Sequence, residues 1–123
     1  MDNYRDLIAW QKGKDLALAI YACTREFPKS EVYGLASQMR RAAVSVPSNI
    51  AEGKGRYSSR EFVQFLLHAR GSLLELETQI LIAHELAYID SLTFRKIESD
   101  AAEVGGILNG LIHRFQTRDK RLT

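Results

Sequence analysis

Apolar side chains recur every three or four residues along this chain and nowhere alternate with period two over a useful length. That spacing buries a continuous stripe only if the backbone is helical, so an all-α fold is expected and a sheet is not. The most telling stretch runs from Tyr33 to Glu61. Leu35, Met39, Ala42, Val46, Ile50 and Gly53 form one apolar stripe, and Gln38, Arg41, Ser45, Asn49 and Glu52 form a polar stripe beside it. Pro47 falls well inside this helix, where its missing amide and ring are expected to kink it or loosen one turn. Gly53 and Gly55 are expected to supply the φ freedom for leaving the helix. Ser58 to Glu61 has the S-x-x-E form of a capping box that starts the next one.

The same reading extended along the chain predicts one domain over residues 1–123. Its helices are expected at about 7–26, 33–53, 59–88 and 91–117, folded as an antiparallel up-down-up-down four-helix bundle. Asp6 is the expected N-cap of the first helix, whose stripe is Trp10, Ala17, Ile20, Thr24 and Phe27 before Pro28. The last helix carries Phe94, Ile97, Ala101, Val104, Leu108, Leu111 and Phe115. The third carries two stripes. Phe62, Phe65, Leu66, Ala69, Leu73, Leu76, Ile80 and Ala83 form the core-facing one, and Val63, Leu67, Leu74, Leu81 and Tyr88 recur beside it, the last four at sevenfold spacing. A bundle of this size offers no second core, so Val63, Leu67, Leu74 and Leu81 are the expected contact between subunits of a homo-oligomer.

Charge is distributed by segment. Arg40, Arg41, Lys54, Arg56, Arg60 and Arg70 stand against Glu52 and Glu61, net +4 over residues 40–70, and the tail from Arg114 is net +3. Residues 71–113 are net −5, so a surface polarised by region is expected although the whole chain is only +2. Of these cations Arg40, Lys54, Arg56 and Arg60 are the candidate phosphate contacts. Few aromatics accompany them, Tyr57 being the clearest, so the expected mode is backbone contact and shape reading. Gln38, Arg41, Asn49, Glu52 and Glu75 are the candidate structural polar network. In it the second helix's polar stripe meets Glu61, His68, Ser72, Glu75 and Gln79 of the third, with Arg41 paired to a carboxylate such as Glu75.

Other chemistries lack their residues. The Glu-x-x-His pairs of a di-metal bundle are missing, since Phe65, Leu81 and Gly110 stand three residues before His68, His84 and His113. The EGKGRYSS segment has Ser48 and Gly55 where a phosphate-binding P-loop needs Gly and Ser or Thr. Cys23 is the only cysteine, on an apolar face, and no serine sits in a nucleophile pattern. No catalytic residues, metal or cofactor are expected, and the chain is expected not to be an enzyme. No basic-then-apolar leader and no bilayer-length apolar run is present, so a cytoplasmic location and no membrane partner are expected.

Many of these positions also carry a resemblance. Phe27-Pro28, Tyr33-Gly34-Leu35, Gln38, Arg40-Arg41-Ala42-Ala43, Ser45, Pro47, Asn49-Ile50-Ala51-Glu52-Gly53, Gly55-Arg56, Glu61-Phe62 and Gly71-Ser72 closely resemble the bacterial four-helix-bundle proteins named after open reading frames in intervening sequences of 23S ribosomal RNA genes. It extends from Tyr4-Arg5-Asp6-Leu7 and Trp10-Gln11-Lys12 to the last helix. That family shares its fold with accessory proteins of diversity-generating retroelements, and the resemblance implies a ring of subunits, a homopentamer. The combined expectation is an oligomeric bundle that binds structured nucleic acid, RNA before DNA, through its basic surface. The alternative is a scaffold that docks a partner protein without touching nucleic acid.

Overall fold

Four helices, α1 (Ile8–Thr24), α2 (Leu35–Lys54), α3 (Ser59–Glu85) and α4 (Ser91–Leu122), are joined with two 3-10 turns, Tyr4–Asp6 and Lys29–Glu31. The computed structural model describes residues 3–122, with side chains described through residue 117, and no strand occurs among them. α1 packs on α2 and α4, and α3 packs on the same two, so the helices follow one another around a common core. Neighbours run antiparallel. Gly13 lies against Val46 and Pro47 while Thr24 meets Arg40, and Ser45 meets Ser72 while Gly53 meets Phe62 and Phe65. Likewise Phe62 meets Phe115 while His84 stacks on Phe94.

The apolar stripes face inward. Met39, Val46 and Ile50 of α2, Leu66, Leu73, Leu76 and Ile80 of α3, and Val104 and Leu108 of α4 are sealed from solvent together with Leu16 and Ile20 of α1. α2 is helical without interruption through Pro47. The buried proline ring packs over Gly13 of α1, where an added Cβ would stand in ordinary van der Waals contact 3.6 Å from it.

The helix ends depart from expectation for local reasons. Asp6 does not cap α1. Asn3 Oδ1 accepts the Arg5 amide at 2.9 Å and starts a 3-10 turn that absorbs Asp6, and α1 begins after the extended Leu7. α1 stops at Thr24 rather than near residue 26, because the Glu26 and Phe27 amides turn back to Cys23 and Thr24 carbonyls. α3 stops at Glu85 rather than at Tyr88. Ala87 takes a left-handed φ of 64°, and the Tyr88 amide bonds the Ala83 carbonyl at 2.9 Å, a Schellman closure without the usual glycine. α4 is capped by Asp90, whose carboxylate accepts the Thr93 amide at 2.8 Å and is held below the usual carboxylate range by that bond. It continues to Leu122, past the expected end near residue 117. The tail cations Arg118, Lys120 and Arg121 lie outside the residues whose side chains are described.

Two expectations about α2 and α3 are corrected. Gly53 and Gly55 have ordinary negative φ, and Gly55 sits at φ −79°. Gly53 serves packing instead: an added Cβ would fall 2.5 Å from Phe65 Cβ and 3.1 Å from Phe62 Cδ1, so only glycine lets the two helices approach there. The second stripe of α3 is not one surface. Val63 is buried in the core and Leu67 packs partly against it, whereas Leu74 and Leu81 are 57% and 46% exposed. Tyr88, the last member, packs on Phe27 and donates its hydroxyl to Glu31.

Candidate nucleic-acid interface

The antiparallel order brings the C-terminus of α2, the N-terminus of α3 and the later turns of α4 to one end of the bundle, and with them the basic turn. Arg56 is held twice there. Its Nη2 donates to Glu52 Oε2 at 3.1 Å, and its guanidinium carbon lies 4.7 Å from the centre of the Phe65 ring. Ser58 accepts the Glu61 amide at 3.1 Å and so starts α3 within a few residues of the end of α2. Lys54 is half-buried, Arg60 is exposed, and Arg114 of α4 lies over Phe115, whose ring meets Phe62 edge-on at 5.0 Å. Lys54, Arg56, Arg60 and Arg114 therefore share one end. Glu75, Glu77, Glu85, Glu98, Asp100 and Glu103 lie along α3 and α4 away from it.

Arg40 does not join them. Its Nε donates to Thr24 Oγ1 at 2.8 Å and its guanidinium lies 4.8 Å from the centre of the Tyr21 ring, on the α1 side of α2 towards the opposite end. Thr24 is itself buried, so Arg40 is a clamp between α1 and α2. Its neighbour Arg41 is exposed and forms no ion pair with Glu75, although both line the groove between α2 and α3. The expected roles are thus reversed, because α2 is flanked by α1 as well as by α3 and position 40 faces α1. Arg40→Ala is expected to cost about 1–2 kcal/mol, from a lost charged hydrogen bond and ring contact, and Arg41→Ala under about 0.5. Thermal melts of the two variants check this, and equal melting temperatures would contradict the clamp.

The polar network is smaller than expected and centres on Ser45. Its hydroxyl lies 2.8 Å from that of Ser72, and Asn49 Nδ2 donates to Ser45 O at 2.8 Å and to Ser45 Oγ at 2.9 Å. These groups tie α2 to α3 beneath a groove of 380 Å³ that Gln38, Arg41, Ala42, Ser45, Ser72 and Glu75 line. Glu75 accepts from Gln79 at 3.3 Å, not from Arg41, and Glu52 belongs to the basic turn through Arg56. Gln38 is exposed.

Two features escaped the sequence reading. Glu31, in the turn after α1, accepts the Leu35 amide at 3.0 Å with one carboxylate oxygen and the Tyr88 hydroxyl with the other, so one side chain starts α2 and pins the end of α3. No spacing rule connects residues 57 apart in sequence. A largely apolar cleft of 640 Å³ also opens between α1 and α4, where Ala19, Ala22 and Cys23 are too small to reach Leu92 and Ile97. Burial pushes the Cys23 thiol up to about 11, so it is un-ionised and unreactive near neutral pH. Among the described residues no three His, Cys, Asp or Glu side chains are grouped to hold a metal ion, and no helix is long and apolar enough to cross a membrane.

Comparison with known proteins adds a family and a fold. The family model for the 23S rRNA-intervening sequence protein matches residues 5–110. A crystal structure of a protein of unknown function from the S23 ribosomal protein family of Bacteroides thetaiotaomicron has a similar fold, with a TM-score of 0.77. The two sequences are 21% identical, and the match covers 85% of this chain and 98% of that one. No curated protein matches the sequence.

Proposed function

This chain belongs to the 23S rRNA-intervening sequence protein family, and from that premise we propose that it is a non-enzymatic, homo-oligomeric bundle that binds structured nucleic acid, RNA before DNA. The observation that carries the reading is the convergence of Lys54, Arg56, Arg60 and Arg114 at one end, where they outnumber Glu52 and Glu61, while the other acidic residues of α3 and α4 named above lie elsewhere. Such a clustering gives a phosphate backbone a preferred place to dock, away from the acidic stretch of α3 and α4. Repetition of that end in an oligomer multiplies the contacts, which offsets the small net charge of each copy. The exposed Leu74 and Leu81 are the parts of α3 that support self-association. A protein-docking scaffold is the alternative, and the exposed Leu92 beside the α1–α4 cleft is what favours it.

The test is a salt titration of binding to RNA, to duplex DNA and to a polyanion control. Replacing Lys54, Arg56 and Arg60 together by Gln is expected to weaken every RNA alike and to flatten the slope of log affinity against log salt by about 2–3. Identical slopes for wild type and variant at matched oligomeric state would remove this surface from the reading. Binding no stronger than to the polyanion control would leave the scaffold.

A further inference from the structure

The turn between α2 and α3 presents a ring that the fold does not use. Tyr57 has a relative exposure of 105%, and it makes no hydrogen bond or ring contact with the described residues. Its neighbours, by contrast, are anchored. The Arg56 amide bonds the Gly53 carbonyl at 3.1 Å, the Arg56 side chain is held by Glu52 and Phe65, and Ser58 caps α3. The phenol therefore projects from a backbone fixed on both sides, in a turn whose residues 54, 56 and 60 are cationic.

A partner that fits this arrangement must bring a flat apolar face and negative charge within one residue's reach of each other. A nucleotide does so, since each base is tethered to a phosphate. A base inside a duplex has both faces covered by its neighbours, whereas an unpaired base has a face to offer. We propose that Tyr57 is a stacking platform for one unpaired base of an RNA loop or end whose phosphates lie against Arg56 and Arg60. This deepens the nucleic-acid reading above and rests on it. Stacking on a tyrosine is tolerant of base identity, so the site selects for single-strandedness rather than for sequence. The molecule carries its own comparison: Tyr33 is 97% exposed, but it lies at the opposite end of the bundle near Glu31 and away from the basic turn.

The experiment compares an RNA hairpin with an eight-nucleotide loop against a blunt RNA duplex of equal phosphate number. Tyr57→Ala is expected to weaken hairpin binding about 5- to 100-fold, to leave duplex binding and the salt slope unchanged, and to be rescued by Tyr57→Trp. Tyr33→Ala is expected to change neither. Equal affinity of wild type and Tyr57→Ala for the hairpin, with the charge variant still weakened, would overturn the stacking site and leave the basic end standing. An equal loss on hairpin and duplex, or failure of Tyr57→Trp to rescue, would likewise overturn it. Absence of wild-type binding to either RNA above the polyanion control would overturn both readings.

Discussion

A Val63→Glu protein is expected to lose about 3–5 kcal/mol of stability and much of its cooperative helical melt, whereas Leu74→Glu keeps both. The two positions share a helix and the second apolar stripe read from the sequence, but Val63 is 6% exposed inside the core and Leu74 is 57% exposed. A carboxylate at 63 would start from a position inside the core, so it forfeits most of its hydration. At 74 it stays in water. If Leu74 and Leu81 form the subunit contact, the double variant Leu74→Glu, Leu81→Glu shifts the mass towards monomer while helical content survives. Circular dichroism and light scattering coupled to size exclusion read the two outcomes separately. A folded Val63→Glu protein would contradict the packing of α3, and a wild type that is monomeric at tens of micromolar would contradict self-association.

Gly53→Ala is expected to destabilise by about 1–3 kcal/mol, against the usual gain from replacing a helical glycine by alanine. The opposing contact is 2.5 Å to Phe65 Cβ, an atom fixed to the α3 backbone, so relief requires the helices to separate rather than a side chain to rotate. Separation there also disturbs Phe62 and the Arg56 guanidinium that rests on Phe65. Gly71 supplies the reference. It is helical with nothing within 4 Å of an added Cβ, so Gly71→Ala is expected to stabilise by about 0.5–1 kcal/mol. Chemical denaturation of the two single variants checks the opposite signs, and a stabilised Gly53→Ala would refute the close approach.

The basic end and the proposed oligomer contact are linked through α3, which carries Arg60 near its start and Leu74 and Leu81 further along. A contact along the later turns leaves the N-terminal turn and Tyr57 uncovered, so self-association and phosphate binding do not compete for the same residues. Under the proposed function, this arrangement would let a long polyanion engage the basic ends of several copies at once.

The sequence by itself determined the helical class, the positions of the four helices to within a few residues at most ends, and the stripes that meet in the core. Periodicity is a local angular property, and Met39, Val46, Ile50, Leu73, Val104 and Leu108 announce their burial through it. It also grouped the cations of the basic turn, because they are neighbours in the chain. Only the tertiary structure decided what happens at the edges of each stripe. A helix held between two neighbours buries a wide arc. Arg40 therefore turns to α1 while Arg41 remains in water, and Val63 lies inside the core while Leu74 lies outside it. The buried pair Ala36 and Ala43 flanking Arg40 at helical spacing was the available sign that α2 has a second packed side. The role of Gly53 was out of reach of local reasoning, because glycine before a turn reads as backbone freedom until the facing Phe65 is known. The same holds for Glu31, whose second partner Tyr88 comes from a distant part of the chain. In each case the deciding quantity is a distance between helices, which the spacing of residues along one helix does not encode.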